Sequence, residues 1–188
     1  MLTIRSIDKH VEQLFSVINR LAAALSQAEI PYRVVGGVAI YLHIEAVDPL
    51  AARLTRDVDV AVDRRDLNAI IEAVRPFGFE HRHAASADML VDAAQPKARS
   101  AVHLIFVGEK VRPEYPEPVP AFSAPVRTAE GLLLAPIDDL VRMKLTSFRE
   151  KDRVHLRDLD AVKLITPEIE TQLSKELGRR LRRVRASE

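Results

Sequence analysis

Cysteine is absent from the 188 residues. That absence excludes disulfides and thiolate zinc sites. An excess of one charge sign is missing too: 28 Lys and Arg stand against 27 Asp and Glu, for a net charge of +1. No whole-molecule field exists for nucleic acid or an anionic membrane, so such a contact would need a local patch. No apolar run approaches the roughly 18 residues that suggest a membrane span. The opening MLTIRSIDKH lacks the long apolar stretch of a signal peptide. The expectation is a cytoplasmic protein without membrane contact. There is no internal repeat and no low-complexity tract. What remains is an ordinary globular composition, 47% hydrophobic and 29% charged, at about the length of one domain.

The first helix is read from one apolar stripe: Ile7, Val11, Leu14, Ile18, Leu21 and Leu25 recur at three- and four-residue steps, up to Pro31. A short strand, Tyr32 to Val35, runs into Gly36-Gly37 and a second helix over 38–43. Residues 44–54 form a connector. Asp57 to Val62 then alternates strictly, which predicts a half-buried strand. Asp63 is placed to cap a short helix with the stripe Leu67, Ile70, Ile71 and Val74, and Pro76 and Gly78 punctuate before a strand over 79–83. Two strands are expected between Met89 and Phe106, joined by the polar turn 95–100. Pro113, Pro116, Pro118, Pro120 and Pro125 exclude a helix or a central strand and predict an extended surface loop. Strand character returns over 132–134. Pro136 suits the first turn of a helix through Phe148, a charged cluster 149–153 precedes another helical run, and Thr166-Pro167 starts a last helix carrying Ile169, Leu173, Leu177 and Leu181.

Chemistry concentrates at two places. Period-two geometry aims the carboxylates of Asp57 and Asp59 the same way, about 7 Å apart along the strand. Such a pair suits a hard cation, and Mg²⁺ takes a few carboxylate oxygens together with substrate phosphates. Two solvated aspartates on an edge strand would show the same pattern. Gly36-Gly37 sits where a strand hands over to a helix. Bare backbone there approaches a phosphate closely, and a helix N-terminus favours its charge; a tight turn needing positive φ would look alike.

Taken together, VVGGVA at 34–39 and RLTRDVDV at 53–60 resemble the nucleotidyltransferase signature of the DNA polymerase β superfamily. The similarity is to the variant with G-G before a helix and R-x-T-x-D-x-D on the next strand, separated by a long connector. Minimal nucleotidyltransferases and the nucleotidyltransferase toxins of toxin–antitoxin pairs carry it. The stretch 143–153, MKLTSFREKDR, is similar to the K-L-x-A-x-x-x-R-x-x-x-R/K-D motif of the helices after the sheet. The resemblance implies an α+β fold: a small mixed, strongly twisted sheet with flanking helices, the core over 1–135 and C-terminal helices over 136–188 packed on it. It implies a nucleotidyltransferase moving an NMP from an NTP to a hydroxyl acceptor (small molecule, protein or tRNA), or a low-activity homologue acting through a partner protein. Asp57 and Asp59 would hold Mg²⁺. Gly36, Gly37, Thr55, Lys144 and Lys151 would contact nucleotide, Thr55 alternatively supporting the aspartates. The seven-residue spacing of the two lysines reads as one helix face.

One departure stands out. The family expects a third carboxylate on a later, apolar strand, and the matching segment AVHLIF at 101–106 offers His103. Imidazole accepts a proton near neutral pH but is a poor Mg²⁺ ligand. Three readings stay open: His103 is an adapted base or ligand, it is structural in a site without turnover, or Glu109, Asp88 or Asp92 is the acid. His155 reads as a helix-packing residue, and His81 with His83 as a solvated strand face. Lys175, Arg179, Arg180, Arg182, Arg183 and Arg185 face one acid, Glu176. They fit a C-terminal helix dipole; RNA contact is the weaker reading, since no aromatic interleaves them.

Overall fold

The computed structural model describes residues 4–53, 55, 57–84, 86–94 and 101–187, with side chains from residue 11 onward. Ile7's side chain and the turn 95–100 lie outside the described residues. Helix α1 (Ile4–Gln27) buries Leu14, Ile18, Leu21 and Leu25, as the stripe requires. It ends before Pro31, with Glu29 at φ 55. Strand β1 (Tyr32–Val35) feeds α2 (Gly36–Glu45), and β2 (Val58–Val62) buries Val58, Val60 and Val62. Asp57 stands one residue before that strand. Asp63 does cap, accepting from the Arg65 N–H, but what it caps is a 3₁₀ turn over Arg64–Asp66. Helix α3 (Leu67–Val74) follows and packs against α1.

Strands β3 (Phe79–Ala84) and β4 (Ala87–Asp92) form an antiparallel hairpin, β4 pairs antiparallel with β5 (Val102–Phe106), and β5 runs parallel to β2. On the other side β1 pairs antiparallel with β2 and parallel with β7 (Leu133–Leu134), which pairs with the edge strand β6 (Val126–Arg127). Among the described residues this is one mixed sheet in the order β3-β4-β5-β2-β1-β7-β6. The parallel β2–β5 pairing matters most, because its register sets Asp59 opposite His103. Side chains paired across neighbouring strands share a face.

The proline-rich segment forms no strand from 107 to 125. Its first half is closed on itself, with the Gly108 N–H donating to Val119 O at 2.9 Å and the Val119 N–H to Glu109 O at 2.8 Å.

Four helices follow: α4 (Ile137–Ser147), α5 (Glu150–Ala161), α6 (Pro167–Thr171) and α7 (Lys175–Arg185). Pro136 is the N-cap of α4 rather than its first residue. Lys144 and Lys151 therefore do not share a helix face, contrary to the spacing. Phe148 ends α4 in the left-handed region (φ 49), and a new helix starts at Glu150. The last helix also divides: Ser174 caps α7, accepting from the Leu177 N–H, so α6 and α7 are separate. A serine hydroxyl offers an alternative partner to the backbone and so favours a fresh start. Helices α4 and α5 pack on α2, and α7 packs on both. Arg180 donates to Leu145 O and Thr146 O at 2.9 and 2.8 Å, and Arg185 pairs with Asp160 and Glu170 at 2.8 Å. Much of the basic tail is thus engaged in seating α7. Among the described residues no helix is long and apolar enough to cross a membrane.

Candidate nucleotide site

A cleft of about 560 Å³ opens where β1 turns into α2. That volume lies within the range of small-molecule sites, roughly 300–1,000 Å³. Gly36, Asp57, Asp59, His103, Lys144 and Lys151 all line it. Gly36 adopts φ +69, and a Cβ there would stand 2.1 Å from Asp59 Oδ2. A Cβ on Gly37 would stand 2.6 Å from Thr55 Oγ1. The two glycines are thus bare because two side chains of the following segment press against them. Thr55 also accepts from the Asp57 N–H at 3.4 Å, which ties the loop bearing the first carboxylate.

His103 Nδ1 donates to Asp59 Oδ1 at 3.2 Å. That hydrogen bond raises the imidazole pKa above its ordinary value; partial burial and Lys151 oppose it, and the charges of Asp59 and Asp57 add to it. Lys151 reaches Asp57 Oδ2 at 3.2 Å, with both side chains more than half exposed (55% and 53%). An exposed pair of this kind contributes only about 0–1 kcal/mol, so Lys151 is readily exchanged to another anion. Lys144 is buried, its Nζ 3.2 Å from Asp152 Oδ1.

Of the other acids, Glu109 and Asp88 line the same cleft but are held by Arg and His side chains, and Asp92 lies outside its lining. Glu109 receives Arg64 at 2.5 and 2.8 Å, and Asp92 pairs with Arg20. Asp88 is buried and accepts from His81 Nε2 at 2.8 Å and His83 Nδ1 at 3.0 Å on one oxygen, with Arg64 3.5 Å from the other. The pair His81 and His83 is therefore bound to a carboxylate rather than merely solvated. Asp88 is in register with Leu104, which places it on the opposite face from His103. Burial raises its pKa, but the hydrogen bonds from His83 and His81 outweigh that and hold it low.

Two residues had no place in the sequence expectations. Arg149 lines the cleft, and its only signal is its position inside the 143–153 motif. Arg64 also lines it, stacked 3.6 Å from the Phe106 ring centroid, with no local signal at all. The proline-rich segment supplies one wall through Val111, Pro113, Tyr115 and Pro118.

The donor set fits Mg²⁺ in one specific way. Asp57 and Asp59 are two hard carboxylates on the cleft, Asp59 pressed against the Gly36 backbone, and Mg²⁺ keeps waters and substrate oxygens for its remaining positions. A full protein cage is not offered: among the described residues no group of three or more His, Cys, Asp or Glu is arranged to hold a metal.

His155 packs half-buried in α5, its Nδ1 without a hydrogen-bond partner among the described residues. Burial pulls its pKa down to about 4, aided by Lys144. The unfolded chain, with an ordinary histidine near 6.5, therefore takes up a proton first, and stability falls as pH drops from about 6.5 to 4. Asp152 sits at about 2, burial being outweighed by Arg149, Lys144 and Ser147. Its contribution is present above about 3.8 and is lost below that. Urea unfolding at pH 7, 5.5 and 4.5 should show a loss of stability to which partly buried His43 also contributes, and His155→Leu should reduce that loss over this window.

Known structures bear on the fold. The antigenic nucleotidyltransferase-like protein from Paracoccidioides brasiliensis is similar over 94% of this chain and 88% of its own, at 21% identity and a TM-score of 0.63. The crystal structure of ANT(2'')-Ia in complex with adenylyl-2''-tobramycin is similar over 94% of this chain and 98% of its own, at 13% identity and a TM-score of 0.49. For the polyadenylate synthase of Megavirus the values are 100%, 35%, 10% and 0.40. No protein-family model and no curated protein matches the sequence.

Proposed function

Because the chain has the nucleotidyltransferase fold, we propose that it moves a nucleoside monophosphate from an NTP to a hydroxyl acceptor, with Mg²⁺ held by Asp57 and Asp59. The observation that supports this most is the meeting of Gly36 and the acid pair within one cleft, whose lining does not include Gly37 or Thr55, where Gly36 leaves no space for a side chain against Asp59. In this reading residues 1–135 are the nucleotide-binding core, and 136–188 complete its cleft.

The acceptor hydroxyl oxygen attacks the α-phosphorus in line, its proton passing to solvent. The new O–P bond forms as the bond to the β-phosphate oxygen breaks, and pyrophosphate leaves. When bound, Mg²⁺ supplies charge stabilisation for the attacking and leaving oxygens. Gly36 and Gly37 let Asp59 and Thr55 close against the start of α2, where backbone N–H groups and the helix dipole favour negative charge. Lys151 leaves its weak pair with Asp57 for a phosphate oxygen, and Lys144 and Arg149 stand on the same wall. His103 holds a proton at Nδ1 against Asp59. Catalysis of this kind is mostly positioning and electrostatics.

That last contact supports a second reading. An imidazole that donates to Asp59 brings no negative charge where the resemblance expects a third carboxylate, which suits a nucleotide-binding homologue of low turnover acting through a partner protein. His103→Asp separates the two. It raises transfer if the histidine limits the site and lowers it if the histidine is the adapted base or ligand.

Incubation with each α-labelled NTP, Mg²⁺ and cell lysate tests the whole. Label on one acceptor (small molecule, protein or tRNA) supports transfer. A rise in melting temperature with Mg-NTP but no label supports the second reading, since a ligand of the native state stabilises it either way. Neither label nor stabilisation with any of the four NTPs overturns both.

A further inference from the structure

Asp152 has no part in the reaction above, yet among the described residues it is the most deeply buried charged side chain, at 0% exposure. Both of its oxygens are engaged. Oδ1 accepts from Lys144 Nζ at 3.2 Å and Arg149 Nη2 at 3.4 Å. Oδ2 accepts from Ser147 Oγ and Arg149 Nε, both at 2.8 Å, and from the Arg149 backbone N–H at 3.1 Å. Lys144, Ser147 and Arg149 all line the cleft, and Asp152 does not.

Burial of such a cluster is a poor way to stabilise a fold. Desolvation of the charges offsets much of their attraction, and apolar replacements are often no worse. The joint around it is also held in an unfavourable backbone state. Phe148, between Ser147 and Arg149, takes φ 49, which a bulky residue rarely adopts. What the cluster does achieve is orientation. One carboxylate faces two cations, so the wall keeps a surplus positive charge. The grip on Arg149 uses Nε and Nη2, and among the described residues Nη1 has no partner; Lys144 has three donors and makes one bond. Donors are thus left for an anion, on groups anchored from behind.

We propose that Asp152 is a positioning residue, a buried carboxylate that fixes Lys144 and Arg149 at the cleft wall so that their remaining donors receive phosphate oxygens of the nucleotide. This rests on the nucleotide reading of the cleft.

The test uses the full chain and Mg-tripolyphosphate as probe, titrated by calorimetry. Asp152→Asn should weaken binding by about tenfold or more, the range of a charge-assisted contact. Arg149→Lys keeps the charge and loses the fork that grips Asp152; it should weaken binding several-fold, beyond what its loss of melting temperature explains against the control of lowered stability. Arg149 is half-exposed, so this variant folds even where Asp152→Asn does not. Leu156→Ala, a buried apolar change in the same helix, serves as a control of lowered stability and should bind as wild type. Wild-type affinity in Arg149→Lys, or a loss in Asp152→Asn no larger than in Leu156→Ala at matched stability, overturns the positioning role alone. A wild-type chain that does not bind the probe overturns the nucleotide reading and this role with it.

Discussion

Asp59→Asn is expected to lower transfer of α-label by at least about 10²–10³-fold, the scale seen when one transition-state contact is removed, while thermal unfolding stays close to wild type. The substitution keeps shape and removes charge. Asn still offers His103 Nδ1 an oxygen at the 3.2 Å contact, and Asp59 is only partly buried, so the sheet has little reason to respond. What is lost is an anionic ligand at the point where Gly36 approaches most closely. Asp57→Asn should follow in the same direction. It also frees Lys151 from its pair, so affinity for Mg-free NTP should rise even as transfer disappears. Full activity in both variants would refute the assignment of the acid pair.

Gly36→Ala should be nearly as damaging, by a different route. An L-residue at φ +69 carries a penalty of about 1–2 kcal/mol, and the added methyl would sit 2.1 Å from the Asp59 carboxylate. Either the bend or the aspartate must move. The expected result is a lower melting temperature together with loss of the stabilisation given by Mg-NTP. Gly37→Ala is the informative neighbour. No positive φ is involved, and the obstacle is the Thr55 side chain at 2.6 Å, so the stability loss should be clearly smaller. Thermal unfolding of both variants with and without Mg-NTP checks the order, and equal losses would mean that backbone conformation at 36 is not the controlling factor.

The signals that survived translation into structure were local ones. The stripe of α1 needs only a period of 3.6, and the half-buried β2 needs only a period of 2. Gly36-Gly37 and Asp57-x-Asp59 are likewise short patterns, and a single chain reversal brings them together. Where the cause is remote, no local pattern carries it, and His103 enters the expectations only through the resemblance of the segment 101–106. Asp59 and His103 are 44 positions apart and meet only through the parallel β2–β5 register, so the proton shared between them has no local signature. The joint after Ser147 lacks glycine and proline, and apolar spacing runs through it. Phe148 holds its left-handed turn with Arg153, Arg180 and Arg183 gathered 5.2–5.9 Å from its ring centroid, a support drawn from three other turns of chain. The spacing of Lys144 and Lys151 says nothing of burial, and Lys144 is buried although lysine rarely is. Its burial depends on Asp152, which only the folded joint brings within reach.

The placement of Arg180 extends this dependence to the far end of the sequence. Its guanidinium satisfies the carbonyls of Leu145 and Thr146, the last turn of the helix that carries Lys144. A helix end left without such donors frays. The final described helix therefore works as a tie-rod: slackening it would reach Lys144 through the main chain.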